Sequence, residues 1–381
     1  MRWLSLVVIA AACGGAPATD PDATGSESHP LGMNDVTILL PLPQGPQPIL
    51  LGLTTDLIPQ ALFDRLVVAP GDVIDPFGAF QVMAVRFDIC DRHTPGPCPR
   101  GVDGRMRLVF QPMLPPGAGR PGANDVALHA FYPIPATELP ALVDQLRALA
   151  RIGATDPHGA LIVSTAVANP TYLAGLKALV TRYAHGDRLL RLTLFAQNAQ
   201  ASSLNWSFRG LDIDGSGAHD LVIPDVAQTQ QHVILAAPDT TYDTSPLADL
   251  PAGLSLSLSG GAFMNAAPAD QRGALEALAA AQNPLTHTGD TVECVACHVS
   301  TFLTTHRAQM AAIDPTTIAG RYTSTHDLSI IAGVSATNDR SLRALGWIFD
   351  QPAISQRVAN DTAQVLDDID AQFPPGPAPA P

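Results

Sequence analysis

Four stretches of the chain alternate apolar and polar residues with period two, the mark of half-buried strands. Residues 80–88 put Met83, Val85 and Phe87 on one face, and residues 105–111 set Met106, Leu108 and Phe110 against Arg105 and Arg107. Residues 188–195 and 204–208 alternate in the same way. Two helical patterns lie between these pairs. Leu139, Leu142, Val143, Leu146 and Leu149 keep the i, i+3, i+4, i+7 spacing of a buried helix face. A second helix opens at Asn169-Pro170, a cap followed by proline at the first helical position, and closes at His185-Gly186. Strands, two helices and strands again predict an α+β fold over residues 35–237, a mostly antiparallel sheet with helices on one face.

Near residue 238 the texture changes. Leu254, Leu256 and Leu258 alternate with serine and predict a strand; residues 268–281 are an alanine-rich helix. A further helix spans 352–373, with Val358, Val365, Ile369 and Phe373 on one side. This second region, 238–373, is smaller and more helical than the first. The tail, 374–381, reads PPGPAPAP and is expected to be extended and disordered.

Length and charge narrow the classes. The 381 residues are too many for one ordinary core and fit two domains. With 46% apolar residues there is ample material for a core, although only 15% are charged. The net charge is −14, with a single lysine, Lys177, which argues against nucleic acid because phosphate binding needs clustered cations. After the first dozen residues no apolar run approaches the ~18–20 residues of a membrane span.

Residues 1–12 have the form of a signal peptide: Arg2, an apolar stretch from Leu4 to Ile9, then three alanines before Cys13. This run resembles the lipobox of bacterial lipoproteins, with Ala10 where that pattern usually has leucine. The resemblance implies that Cys13 is lipidated and holds the protein on a membrane. Gly14, standing where an inner-membrane lipoprotein would have Asp, implies an outer-membrane address. Residues 13–34 are expected to form the lipidated cysteine and a flexible tether, being rich in Gly, Ala, Pro, Ser and Asp.

Four cysteines remain. Cys90 and Cys98 lie in a Pro/Gly-rich connection between two strands, and in an exported protein are expected to form a disulfide. A metal site built from Cys90, His93 and Cys98 is the alternative. The strongest chemical signal is Cys294-Val295-Ala296-Cys297-His298. Two thiols one helical turn apart can each bond a haem vinyl group, and the adjacent imidazole reaches the iron from the same side. The five residues resemble the attachment motif of c-type cytochromes; the rest of the chain resembles none. The resemblance implies one covalent haem c on Cys294 and Cys297, with His298 as proximal iron ligand. A Cys294–Cys297 disulfide or redox dithiol and a zinc site compete with it, but the preceding loop lacks a thioredoxin-like setting and a second Cys/His pair lies some 200 residues away.

These residues lead to a lipid-anchored monohaem protein that passes electrons to a periplasmic partner protein, an electron carrier rather than an enzyme. A haem enzyme or sensor with an open sixth position is one alternative. A haem-free envelope scaffold with a Cys294–Cys297 disulfide is another. For the sixth ligand His287 is favoured, because it lies on a loop seven residues before Cys294. His326 is the runner-up; His306 and Met310 would stay on the proximal side of a continuous helix. Asp212, Asp214, Ser216 and Asp220 resemble a calcium loop, but Ile223 replaces the bidentate glutamate, so a turn between strands is preferred and calcium is not expected.

Overall fold

Strands form where the alternation is cleanest, and they pair in chain order. The computed structural model describes residues 29–45, 47–67, 76–89, 103–114, 122–198, 204–236, 241–245, 254–331 and 342–374. Among these, β1 (Thr37–Leu39), β2 (Phe80–Ile89), β3 (Gly104–Pro112), β4 (Ala127–Pro133), β5 (Arg191–Asn198), β6 (Leu204–Asp214), β7 (Gly217–Asp220), β8 (Gln230–Ala236) and β9 (Thr241–Ser245) build one antiparallel sheet. The order is β1-β2-β3-β4-β5-β6-β8-β9, with β7 beside β6. The fold is α+β. Cys13, Cys90, Cys98 and residues 375–381 lie outside the described residues.

Opposed residues of an antiparallel pair share a face. Val85, Leu108, Ala130, Leu192 and Leu211 therefore form one apolar row across five strands. The two helices expected between the strands, α3 (Leu139–Gly153) and α4 (Pro170–Tyr183), share the large apolar core with that row. Asn169 caps α4 as its sequence predicts, accepting from Thr171 N at 3.0 Å and Tyr172 N at 3.4 Å. Replacing Asn169 by Ala is expected to cost about 1 kcal/mol in equilibrium denaturation, the usual worth of such a cap.

The opposite face is ionic. Its rows run Asp88–Arg105, then Arg86–Arg107–Phe131–Arg191–Asp212, then Val109–His129–Thr193. The alternation of arginine with apolar residues in β3 predicts a solvated side, yet Arg86 and Asp88 are 0% exposed and Arg105 4%. The cover comes from the C-terminal helices, of which α9 (Gln356–Gln372) lies over β2. Thr362 of α9 bonds Thr37 of β1 at 2.8 Å, and its Asp361 pairs with Arg86. So α3 and α4 line one face of the sheet, and the more helical C-terminal region fills the other.

Four expectations on the chain's organisation need correction. Residues on both sides of the 237/238 boundary belong to one unit, because Val358, Ala363, Val365 and Ile369 of α9 enter the same core as the first half of the sheet. Residues 31–34 are not tether. Leu31, Met33 and Asn34 are buried around the short helix α1 (Met33–Val36), whose Asp35 accepts from Gly32 N at 2.8 Å. Residues 254–258 are not a strand but begin with α5 (Leu254–Ser257). Leu254 and Leu258 are four apart, so the same letters that alternate also share one helix face, and that face is buried against α7 (Pro268–Ala281). The last helix starts at Gln356 rather than 352, since Pro352 belongs to the hairpin of β10 (Leu345–Ile348) and β11 (Gln351–Ile354).

A second apolar cluster sits at the other end of the sheet, where Phe195, Trp206, Phe208 and Val233 meet α5, α6 (Gly260–Asn265), α7 and α8 (Cys294–Met310). No helix among the described residues is long and apolar enough to cross a membrane.

Candidate functional site

The C-x-x-C-H run occupies the start of α8, with Glu293 at the N-cap. The Glu293 side chain does not cap the helix; Gln231 of β8 takes over. Its Oε1 accepts from Val295 N at 3.1 Å, while its Nε2 donates to Glu293 Oε2. Gln231 is fully buried, so this pair of bonds fastens the first turn of α8 to the sheet. Cys294 and Cys297, one turn apart, then face a cavity of about 170 Å³ between α8, α9 and the ionic side of the sheet. Its wall includes His298, Arg105, Arg107, His129, Phe131, Phe195, Phe208, Arg191 and Arg357.

His298 is held at one nitrogen. Its Nδ1 lies 2.7 Å from Leu342 O, and because a carbonyl only accepts, Nδ1 carries the proton. Leu342 is held nearby because the β10–β11 hairpin docks on β3: Trp347 N donates to Gln111 Oε1 at 2.7 Å, and Gln111 Nε2 donates to Trp347 O at 2.8 Å. The His298 ring stacks on Phe195 at 5.3 Å and meets Phe208 at 4.8 Å. Burial pushes its pKa down to about 4, against the Leu342 bond, so the ring is neutral at pH 7 with a lone pair on Nε2. Nε2 makes no hydrogen bond among the described residues.

The thiols are free and protonated. Cys294 and Cys297 form no disulfide with each other. Burial pushes the Cys294 thiol up to about 12 and raises Cys297 too. Desolvation thus outweighs the helix N-terminus, which would favour thiolate. A reactive dithiol needs the opposite balance.

Beneath the cavity lies a buried ion network. Asp88 accepts from Arg86 Nε, from Arg105 Nε at 2.8 Å and from Arg107 at 3.4 Å. Asp361 takes Arg357 at 2.8 Å and Arg86 at 3.4 Å. Arg107 is the least neutralised member. Its guanidinium covers the Phe131 ring at 4.8 Å, and among the described residues its Nε has no hydrogen-bond partner. Burial, with Arg86 and Arg105 nearby, outweighs Asp88 and lowers its pKa to about 9. A buried cation in that state favours an anion on the open side of the cavity.

His129 shares the wall, although its sequence setting marks only a polar position of a strand. It sits in β4 between Val109 and Thr193, with its ring 6.5 Å from Phe131. Burial depresses its pKa well below the usual range, and Arg107, His298 and Arg343 add to the effect. Only the pairing register, which sets His129 on the Arg107 side, reveals it.

The expected sixth ligands are elsewhere. His287 turns its Nδ1 to Thr291 O at 3.0 Å, and its own carbonyl accepts from Arg357 at 2.6 Å; it does not line the cavity. The loop expected to fold round the site is instead tied back to α9. His326 pairs with Asp367 at 3.3 Å, also off the cavity wall. His306 stacks on Phe302 within α8, and Met310 Sδ accepts from Arg307. The calcium-like segment is the β6–β7 hairpin. Asp214 accepts from Ser216 N and Oγ at 2.8 and 2.6 Å, and Asp212 is engaged by Arg191 at 2.5 Å. Among the described residues no three His, Cys, Asp or Glu side chains are gathered as a metal-ion site.

Comparisons with protein-family models, curated proteins and solved structures find no match to this chain.

Proposed function

We propose that the protein is a monohaem c-type electron carrier of the cell envelope. Cys294 and Cys297 would hold the haem by thioether bonds, and His298 would be its proximal ligand. The observation that carries this reading is the state of His298. Its Nδ1–H is fixed on Leu342 O, which is how a ligating imidazole is oriented from behind, and the unpartnered Nε2 belongs to a ring kept neutral. Both thiols line the same cavity, and the under-neutralised Arg107 supplies a cation for a propionate. Donor set and charge therefore fit the group. Volume fits only in part: about 170 Å³ is less than the roughly 300–1,000 Å³ of ordinary cofactor pockets.

A haem bound there supplies one-electron redox chemistry. The chain's own residues hold the imidazole, exclude water with Phe131, Phe195 and Phe208, and balance the carboxylates with arginine. Lipidation at Cys13 would keep the carrier at the outer membrane, within reach of a periplasmic redox partner. Expression with haem-maturation machinery tests the proposal. One haem per chain that survives denaturation is expected, with a reduced-minus-oxidised α-band that Cys294→Ser/Cys297→Ser abolishes. A wild-type chain that stays colourless overturns it in favour of the haem-free scaffold.

A further inference from the structure

We infer that His129 is the second axial ligand of the haem held by His298, an assignment that rests on the haem reading and adds to it the residue that closes the sixth position. His129 and His298 line one cavity, His129 from the sheet and His298 from α8, and the His298 ring rests on Phe195 and Phe208 of the same sheet face. Among the described residues neither ring nitrogen of His129 has a hydrogen-bond partner. His129 is half-buried, and its ring borders the cavity with both nitrogens available to a ligand. The cavity in front of it is where that ligand would lie.

Rigidity points the same way. β4 is an interior strand of the sheet, paired on both sides by β3 and β5, and a ligand on such a strand is held more closely than one on a loop. The competing donors are engaged: His287 with Thr291, His326 with Asp367, and Met310 with Arg307. None of the three lines the cavity.

The test uses the full chain with covalent haem, read by ferric absorption and electron paramagnetic resonance and by carbon monoxide binding to the ferrous form. Wild type is expected to be low-spin and closed to carbon monoxide, as are His287→Ala and His326→Ala. His129→Ala is expected to be high-spin, to bind carbon monoxide, and to return to low spin on addition of free imidazole. Where His129→Ala fails to accumulate, His129→Met keeps a ligand and is expected to raise the reduction potential. A high-spin wild type, a low-spin His129→Ala, or an unchanged potential in His129→Met overturns the inference while leaving the haem in place. Absence of haem from the wild type fails the underlying proposal instead, so the two failures are distinct.

Discussion

Replacing Asp88 by Asn is expected to destabilise the chain by about 3–5 kcal/mol, the cost of removing one partner from a buried ion pair. Asp88 is fully buried and is shared by Arg86, Arg105 and Arg107. The amide keeps the volume but leaves those guanidiniums without their common counter-charge, and Arg86 is itself 0% exposed. The pair Arg65–Asp220 is a control. It is close, at 2.6 Å, but its side chains are 44% and 55% exposed, so Asp220→Asn should change stability by about 1 kcal/mol at most. Urea denaturation of the three proteins separates these cases. A loss at Asp88 no larger than at Asp220 would mean that the network adds no more than a surface pair. Acid should reveal the same contrast. Burial pushes the Asp88 carboxyl up, but Arg86, Arg105 and Arg107 outweigh it and hold the group well below the usual carboxylate range. Its stabilisation is therefore complete above about pH 4 and is lost only as pH falls through the depressed value.

That network is also where sequence and structure part. The sheet and the helices on its first face were legible, because their partners are local: period two in β2 and β3, period 3.6 in α3, a cap at Asn169. The second face was not. Arg86, Arg105 and Arg107 alternate with apolar residues as solvated residues do, and only their enclosure by α9, more than 240 residues later, makes them interior. Alternation reports which side chains share a face, not what covers it. The same limit explains α5, where five residues satisfy both periods and burial against α7 decides. At the candidate site the structure sets Cys294, Cys297 and His298 on one cavity wall, as neighbours on the first turns of α8 must be. His129 reaches the same cavity from 165 residues earlier, through strand register that no local pattern records. Nearness in sequence favoured His287, and Arg357 holds that loop in another place.

Glu293 provides the second large effect, one that depends on pH. It stands immediately before Cys294, is 2% exposed, and among the described residues its Oε1 has no hydrogen-bond partner. Burial raises its pKa to about 7; the amide of Gln231 works against the rise, and Asp225 adds to it. The unfolded chain releases this proton near pH 4.5, while the folded chain keeps it to about pH 7. Across that window the native state binds more protons than the unfolded state, so stability falls as pH rises. The full loss is at most about 3 kcal/mol, taking ~1.4 kcal/mol for each pH unit of the shift. Glu293→Gln keeps the shape and a partner for Gln231 but has no proton to lose. Measured by equilibrium unfolding from pH 4 to pH 8, the variant should match wild type at the acid end. It should then gain on wild type through the window and exceed it by about 2–3 kcal/mol at pH 8. A difference that stays flat with pH would show that Glu293 ionises as easily in the fold as in water. In that case the start of α8 is wetter than its burial implies.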